Sequence, residues 1–162
     1  MAKIVADQTS ECRLIRARDV LTEHIAGTDV SRDQLQTEGL LVEERTEGAW
    51  LRDYIADHRD PEGRCVVDSG RTPRQVSKVL ETDHLAKLVY LEASPETRLR
   101  RFISGAATDP VKRSMSFDQA MRHSTEIGVG QLVELADLIV DTEELLAEDV
   151  AMAIKSWAGW AG

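Results

Sequence analysis

Apolar residues come along this chain in short dense runs separated by longer mixed stretches, and the two spacings predict different elements. Arg64-Cys-Val-Val-Asp68 carries a continuous apolar run that ends on a carboxylate, and Lys87-Leu-Val-Tyr-Leu-Glu92 and Ala136-Asp-Leu-Ile-Val-Asp141 are built the same way. Such brief runs of β-branched and leucine residues predict strands covered on both faces, the parallel-sheet type. Arg13-Leu-Ile-Arg-Ala17 is a weaker run of that kind.

The stretches between them carry helix start signals. Ser31 with Gln34 predicts a helix through about Arg45, and a second covers roughly Ala49 to His58 before an Asp60-Pro-Glu-Gly63 turn. Thr72 is an expected N-cap, with Pro73 in the first turn and Gln75 completing a capping box. Ser94 and Pro95 open a helix through about Ser104, and Ser116 with Gln119 opens the next. Thr142 is expected to cap the last helix, whose apolar positions Leu145, Leu146, Val150, Ile154 and Trp157 keep helical spacing. The opening Met1 to Ala6 reads as half a helix and runs on into a polar segment, not into a glycine-rich turn. Strands alternating with helices give an α/β fold: a three-layer parallel sheet with crossover helices.

At 162 residues one domain is expected, with no repeat or linker dividing it. The net charge of -9 argues against a nucleic-acid or anionic-membrane partner, which would call for a positive field. No apolar stretch reaches the roughly 18 residues of a membrane span, and the N-terminus lacks a signal-peptide core, so a cytoplasmic location is expected. Cys12 and Cys65 lie far apart in sequence and read as a reduced, buried pair. His24, His58, His84 and His123 share no metal-ligand spacing, so no metal site built from protein ligands alone is expected. Trp50, Trp157 and Trp160 read as packing groups. Arginine outnumbers lysine fifteen to five, which suits bidentate recognition of phosphate.

Five segments in order carry a family resemblance. Ile15-Arg-Ala-Arg-Asp-Val-Leu21 and Val30-Ser-Arg-Asp-Gln-Leu-Gln-Thr-Glu-Gly39 look like the start of an acceptor-binding region, here 13–60. Val67-Asp-Ser-Gly-Arg71 is similar to an Asp-Gly-x-Arg strand end. Val89-Tyr-Leu-Glu-Ala-Ser-Pro-Glu-Thr-Arg-Leu-Arg-Arg101 is similar to a strand and helix leading into a lid, here 98–123, and Ala136 to Thr142 resembles the last strand. Together they resemble the nucleoside-monophosphate-kinase and dephospho-coenzyme-A-kinase branch of the P-loop kinase fold. The first strand and its Gly-x-x-x-x-Gly-Lys-Ser/Thr loop are absent, since the one Lys-Ser pair, Lys155-Ser156, lies in a segment predicted as helix. Thr22 also stands where an acceptor-binding Arg is often found.

The resemblance implies phosphoryl transfer to a nucleotide or similar small phosphorylated acceptor, with magnesium and ATP, if an ATP cradle comes from an N-terminal extension or another subunit. Asp68 would hold magnesium through water or take a proton from the acceptor; otherwise it is a solvated strand end or a cap. Arg101 and Arg113 would close over the transferring phosphate, the alternative being charged faces in solvent. Arg18, Asp19, Arg71, Arg74 and Arg98 would bind the acceptor or its phosphate, although Asp19 also suits a helix N-cap and Arg71 a surface ion pair. The reading from a different class is a catalytically degenerate kinase-like domain that binds a nucleotide or a protein. Without its first strand, the strands ending at Asp68 and Glu92 would either pair directly or leave a gap, and a gap predicts a homodimer or a partner that completes the sheet.

Overall fold

In the computed structural model, residues 1–24, 32–59, 63–106, 116–122 and 124–160 are described. The expected cap Ser31, most of the 60–63 turn, His123 and Arg113 lie outside them. The chain is α/β. Its described helices are α1 (Ala2–Asp7), α2 (Ala17–His24), α3 (Arg32–Arg45), α4 (Trp50–His58), α5 (Pro73–Thr82), α6 (Pro95–Ala106), α7 (Phe117–Met121), α8 (Ser124–Gln131) and α9 (Ala147–Trp157). A short 3-10 turn, Leu132–Leu135, follows α8. No described helix is long and apolar enough to cross a membrane.

The strands are β1 (Cys12–Arg16), β2 (Arg64–Asp68), β3 (Val89–Glu92) and β4 (Leu138–Asp141). β1 pairs with β2 in parallel, Cys12 opposite Arg64 through Arg16 opposite Asp68. β3 pairs with β4 in parallel, Val89 opposite Leu138 through Glu92 opposite Asp141. Parallel neighbours need a crossover, and the helices between the strands of each pair supply it. Among the described residues the expected continuous sheet is two separate two-stranded sheets. Burial agrees with that division: β2 is half-buried from Cys65 to Asp68, and Leu91 of β3 is 40% exposed, where a central strand would be covered on both faces.

The main core lies against the first pair. Ile15, Val20, Val42, Trp50 and Leu51 are buried together, and Val67, Cys65 and Tyr54 pack against them. Ile15 and Val67 are register partners, so both pairing strands present an apolar side chain to the helices above. Ile15, fully buried, contributes about 1.5–3 kcal/mol by leaving water, and the half-buried Val67 less. α1 packs across β1, β2 and α9, burying Val5 and Ala6, while α9 buries Val150 and Ala151. Cys12 and Cys65 are free thiols and half-buried.

Helix starts follow local hydrogen bonding. Ser116 closes a full capping box with Gln119, accepting from the Gln119 N–H at 3.1 Å while the Gln119 side chain accepts from the Ser116 N–H at 2.8 Å. At α5, Thr72 accepts from the Gln75 N–H at 3.2 Å, but the Gln75 side chain turns one residue further back and accepts from the Arg71 N–H. So Gln75 does not complete the expected capping box, and two further expectations are corrected. Thr142 does not cap the last helix: its own N–H continues the β3–β4 ladder by donating to the Glu92 carbonyl at 2.9 Å, and α9 begins only after an extended Leu146. Asp19 is not an N-cap, because β1 passes directly into α2 at Ala17 and leaves Asp19 inside the first turn. Of the tryptophans, Trp50 is core, whereas Trp157 is 40% exposed.

Candidate functional site

The carboxyl ends of parallel strands are where open α/β sheets gather ligands, because helix N-termini and loops converge there. β1 and β2 end on register partners Arg16 and Asp68. Arg16 Nη1 lies 3.7 Å from Asp19 Oδ2, so Asp19 and Asp68 share this end of the pair, with Arg18 exposed beside them. Beyond Asp68 the chain turns sharply. Ser69 has φ 76, a left-handed conformation that a non-glycine residue seldom adopts, and its hydroxyl donates to Asp68 Oδ1 at 3.3 Å. Arg71 and Thr72 then deliver the chain into α5.

One carboxylate from α3 organises that junction. Glu43 accepts from the Thr72 hydroxyl at 2.7 Å, the Gln75 side-chain amide at 2.6 Å and the Trp50 indole N–H at 3.1 Å. Arg74 is turned away from the strand end: its stem lies along the α3–α4 turn, where a Cβ added to Gly48 would meet Arg74 Cγ at 2.6 Å.

The end of the second pair is built differently. A cleft of ≈ 390 Å³ brings Arg98 and Arg101 of α6 together with Glu92, Thr142, Leu145 and Val150. Arg101 is anchored there, its Nη1 donating to the Thr142 hydroxyl at 2.9 Å and its Nη2 to the Thr142 carbonyl at 2.5 Å. The Thr142 hydroxyl in turn donates to the Glu92 carbonyl at 2.8 Å. Behind this, Glu143 closes the start of α6 by accepting from Thr97, from the Ser94 N–H at 2.8 Å and from the Ser94 hydroxyl at 2.9 Å. Those bonds, that from Thr97 first, hold the Glu143 carboxyl down at about 2.

A second cleft, ≈ 460 Å³, opens between α2, α3 and α4 over Val20, Leu21, Trp50 and Tyr54, and no expected site residue lines it. Its rim carries Glu23, which accepts from the Tyr54 hydroxyl at 3.1 Å. Among the described residues no group of three or more His, Cys, Asp or Glu is placed to hold a metal ion. Magnesium bound with a nucleotide commonly uses only one or two carboxylates plus phosphates and water, and Asp68 at its strand end is a donor of that kind.

Of the expected residues, Asp68, Arg18 and Asp19 thus gather at the end of the first pair, with Arg71 on the loop that follows, and Arg98 and Arg101 gather at the end of the second. Glu43, Gln75, Thr142 and Glu143 are polar organisers that the pattern of residues did not single out for a site. The capping signals read at Thr72 with Gln75 and at Thr142 pointed to two of them, though as helix caps. No protein-family model matches the chain, and no curated protein matches it in sequence.

Proposed function

We propose that this chain is a nucleotide-kinase-like domain that binds a nucleotide or similar small phosphorylated ligand. It takes part in phosphoryl transfer when an ATP cradle is supplied. The observation that carries the reading is the placement of Arg98 and Arg101 in a cleft at the carboxyl ends of a parallel strand pair, with the Arg101 fork fixed on Thr142. Guanidinium groups held in position stabilise phosphate charge without reorganising, which is the main requirement of phosphoryl transfer. Asp68 is the acidic counterpart at the end of β2, where it would hold magnesium through water or accept the acceptor's proton. In this reading the two strand pairs are parts of one three-layer sheet, and a further strand, from a second copy or a partner, completes it. The work is cytoplasmic.

Titration calorimetry with magnesium-ATP and with nucleoside monophosphates tests this on the wild type, Arg98→Ala and Arg71→Ala. Micromolar binding weakened about tenfold by either substitution, the loss of one charged hydrogen bond, is the expected result. Absence of binding to every nucleotide overturns it. A strict monomer by light scattering at high concentration removes the self-completed sheet.

A catalytically degenerate domain is the second reading. It is favoured by the sequence itself, in which no Lys stands between Gly and Ser or Thr. Binding without transfer to any monophosphate, even with an ATP cradle added in trans, is its signature.

A further inference from the structure

We propose that Glu43 is a positioning residue for Arg71, acting through the side-chain amide of Gln75; its role in ligand binding rests on the function proposed above. The loop between β2 and α5 is tightly constrained. Ser69 takes a left-handed turn, and α8 presses on the Arg71 backbone so closely that a Cβ on Gly128 would lie 2.8 Å from the Arg71 carbonyl oxygen. Within that space the Arg71 N–H donates to Gln75 Oε1 at 3.2 Å.

A primary amide can serve either as donor or as acceptor toward a neighbour, and burial does not choose between them. Gln75 is only 6% exposed, so water cannot make the choice either. Glu43 does. Its carboxylate offers acceptors only, and Oε2 takes the Gln75 Nε2 at 2.6 Å, which leaves Oε1 of Gln75 aimed at Arg71. Glu43 Oε1 takes the Thr72 hydroxyl proton at 2.7 Å, leaving the hydroxyl oxygen to accept from the Gln75 N–H at 3.2 Å. Trp50 donates its indole N–H to the same carboxylate, which ties its position to the core. One acceptor-only group therefore sets the polarity of both side chains that shape the loop.

Glu43→Met keeps the length of the side chain and removes both acceptors. Gln75 Nε2 then loses the partner that pins it, and Gln75 Oε1 is no longer held on the Arg71 N–H. Residue-resolved hydrogen exchange on the native chain reads this directly. The Arg71 amide should exchange about tenfold faster in Glu43→Met, the effect of one lost hydrogen bond, while the Leu51 and Val66 amides change less than about twofold. Gln75→Met, with Glu43 intact, should produce the same selective loss and serves if Glu43→Met does not fold. An unchanged Arg71 amide, or a uniform change across all amides, overturns the proposal and leaves Glu43 a stability residue.

Pyrophosphate titration gives the functional arm. Glu43→Met should weaken binding about tenfold, and adding it to Arg71→Ala should cost nothing more. Additive losses overturn the positioning role. A wild type that does not bind pyrophosphate overturns the function proposed above, and the exchange result then decides the positioning by itself.

Discussion

Replacing Gly48 by alanine separates two costs that the α3–α4 turn imposes together. Gly48 is buried with φ +81, and its new Cβ would stand 2.6 Å from Arg74 Cγ and 3.1 Å from the Arg74 carbonyl carbon. The left-handed conformation costs an alanine about 1–2 kcal/mol. The overlap adds about 1–3 kcal/mol, since the Arg74 stem can swing away but its backbone is held in α5. A stiffer unfolded chain returns about 0.4–1 kcal/mol. The net loss is about 1–4.6 kcal/mol, centred on about 3 kcal/mol, which is roughly 6–12 °C in Tm for a chain of this length. Gly159 isolates the first cost: it has φ +71 with nothing within 4 Å of an added Cβ, so Gly159→Ala should lose about 1 kcal/mol or less. Gly130, inside α8 and also open, carries neither cost, and Gly130→Ala should gain about 0.5–1 kcal/mol. Calorimetric melting of the three variants under one buffer checks the order. A Gly48→Ala protein that melts no lower than Gly159→Ala would refute the steric part of the reasoning.

Glu143 carries a pH prediction. Its folded carboxyl titrates at about 2 against an ordinary 4.5, so its contribution is fully present above pH 4.5 and is lost as pH falls from there toward about 2. Urea midpoints should therefore show wild type above Glu143→Gln at pH 7, with the gap narrowing below pH 4.5 and closing only toward pH 2; parallel curves would contradict the Ser94–Thr97 clasp. Burial first, and the neighbouring Cys12 second, push the Cys65 thiol up to about 11. At pH 8 only about a thousandth of it is thiolate, so a disulfide reagent should label it slowly in the native chain and rapidly in urea. Native labelling at the rate of a free thiol would contradict that. Leu51 of α4 is 1% exposed at the centre of the core, and Leu51→Ala should cost about 2–5 kcal/mol in denaturant unfolding. A loss under about 1 kcal/mol would mean the core there collapses around the cavity.

Where the chain makes its elements was legible wherever the deciding contacts are local. The run Arg64 to Asp68 is a strand with those bounds, and Thr72, Ser94 and Ser116 all receive the N–H three residues on, as their spacing predicts. Thr142 carried a similar cap signal and was taken by other partners, Glu92 and Arg101, fifty and forty-one residues away. Glu43 had no local signal, because its partners on α5 are 29 and 32 residues downstream. Asp68, Arg98 and Arg101 were legible as ends of apolar runs and as a helical face, but their division between two strand ends was not.

The sequence by itself determined the α/β alternation, the strand ends and most helix starts, since these depend on side-chain spacing and on hydrogen bonds within a few residues. Only the tertiary structure decided which strands pair, that Arg101 is fastened to Thr142, and that Glu43 orders the loop before α5. Parallel pairing and long-range polar contacts are chosen by how crossovers bring distant segments together, and no local pattern carries that information.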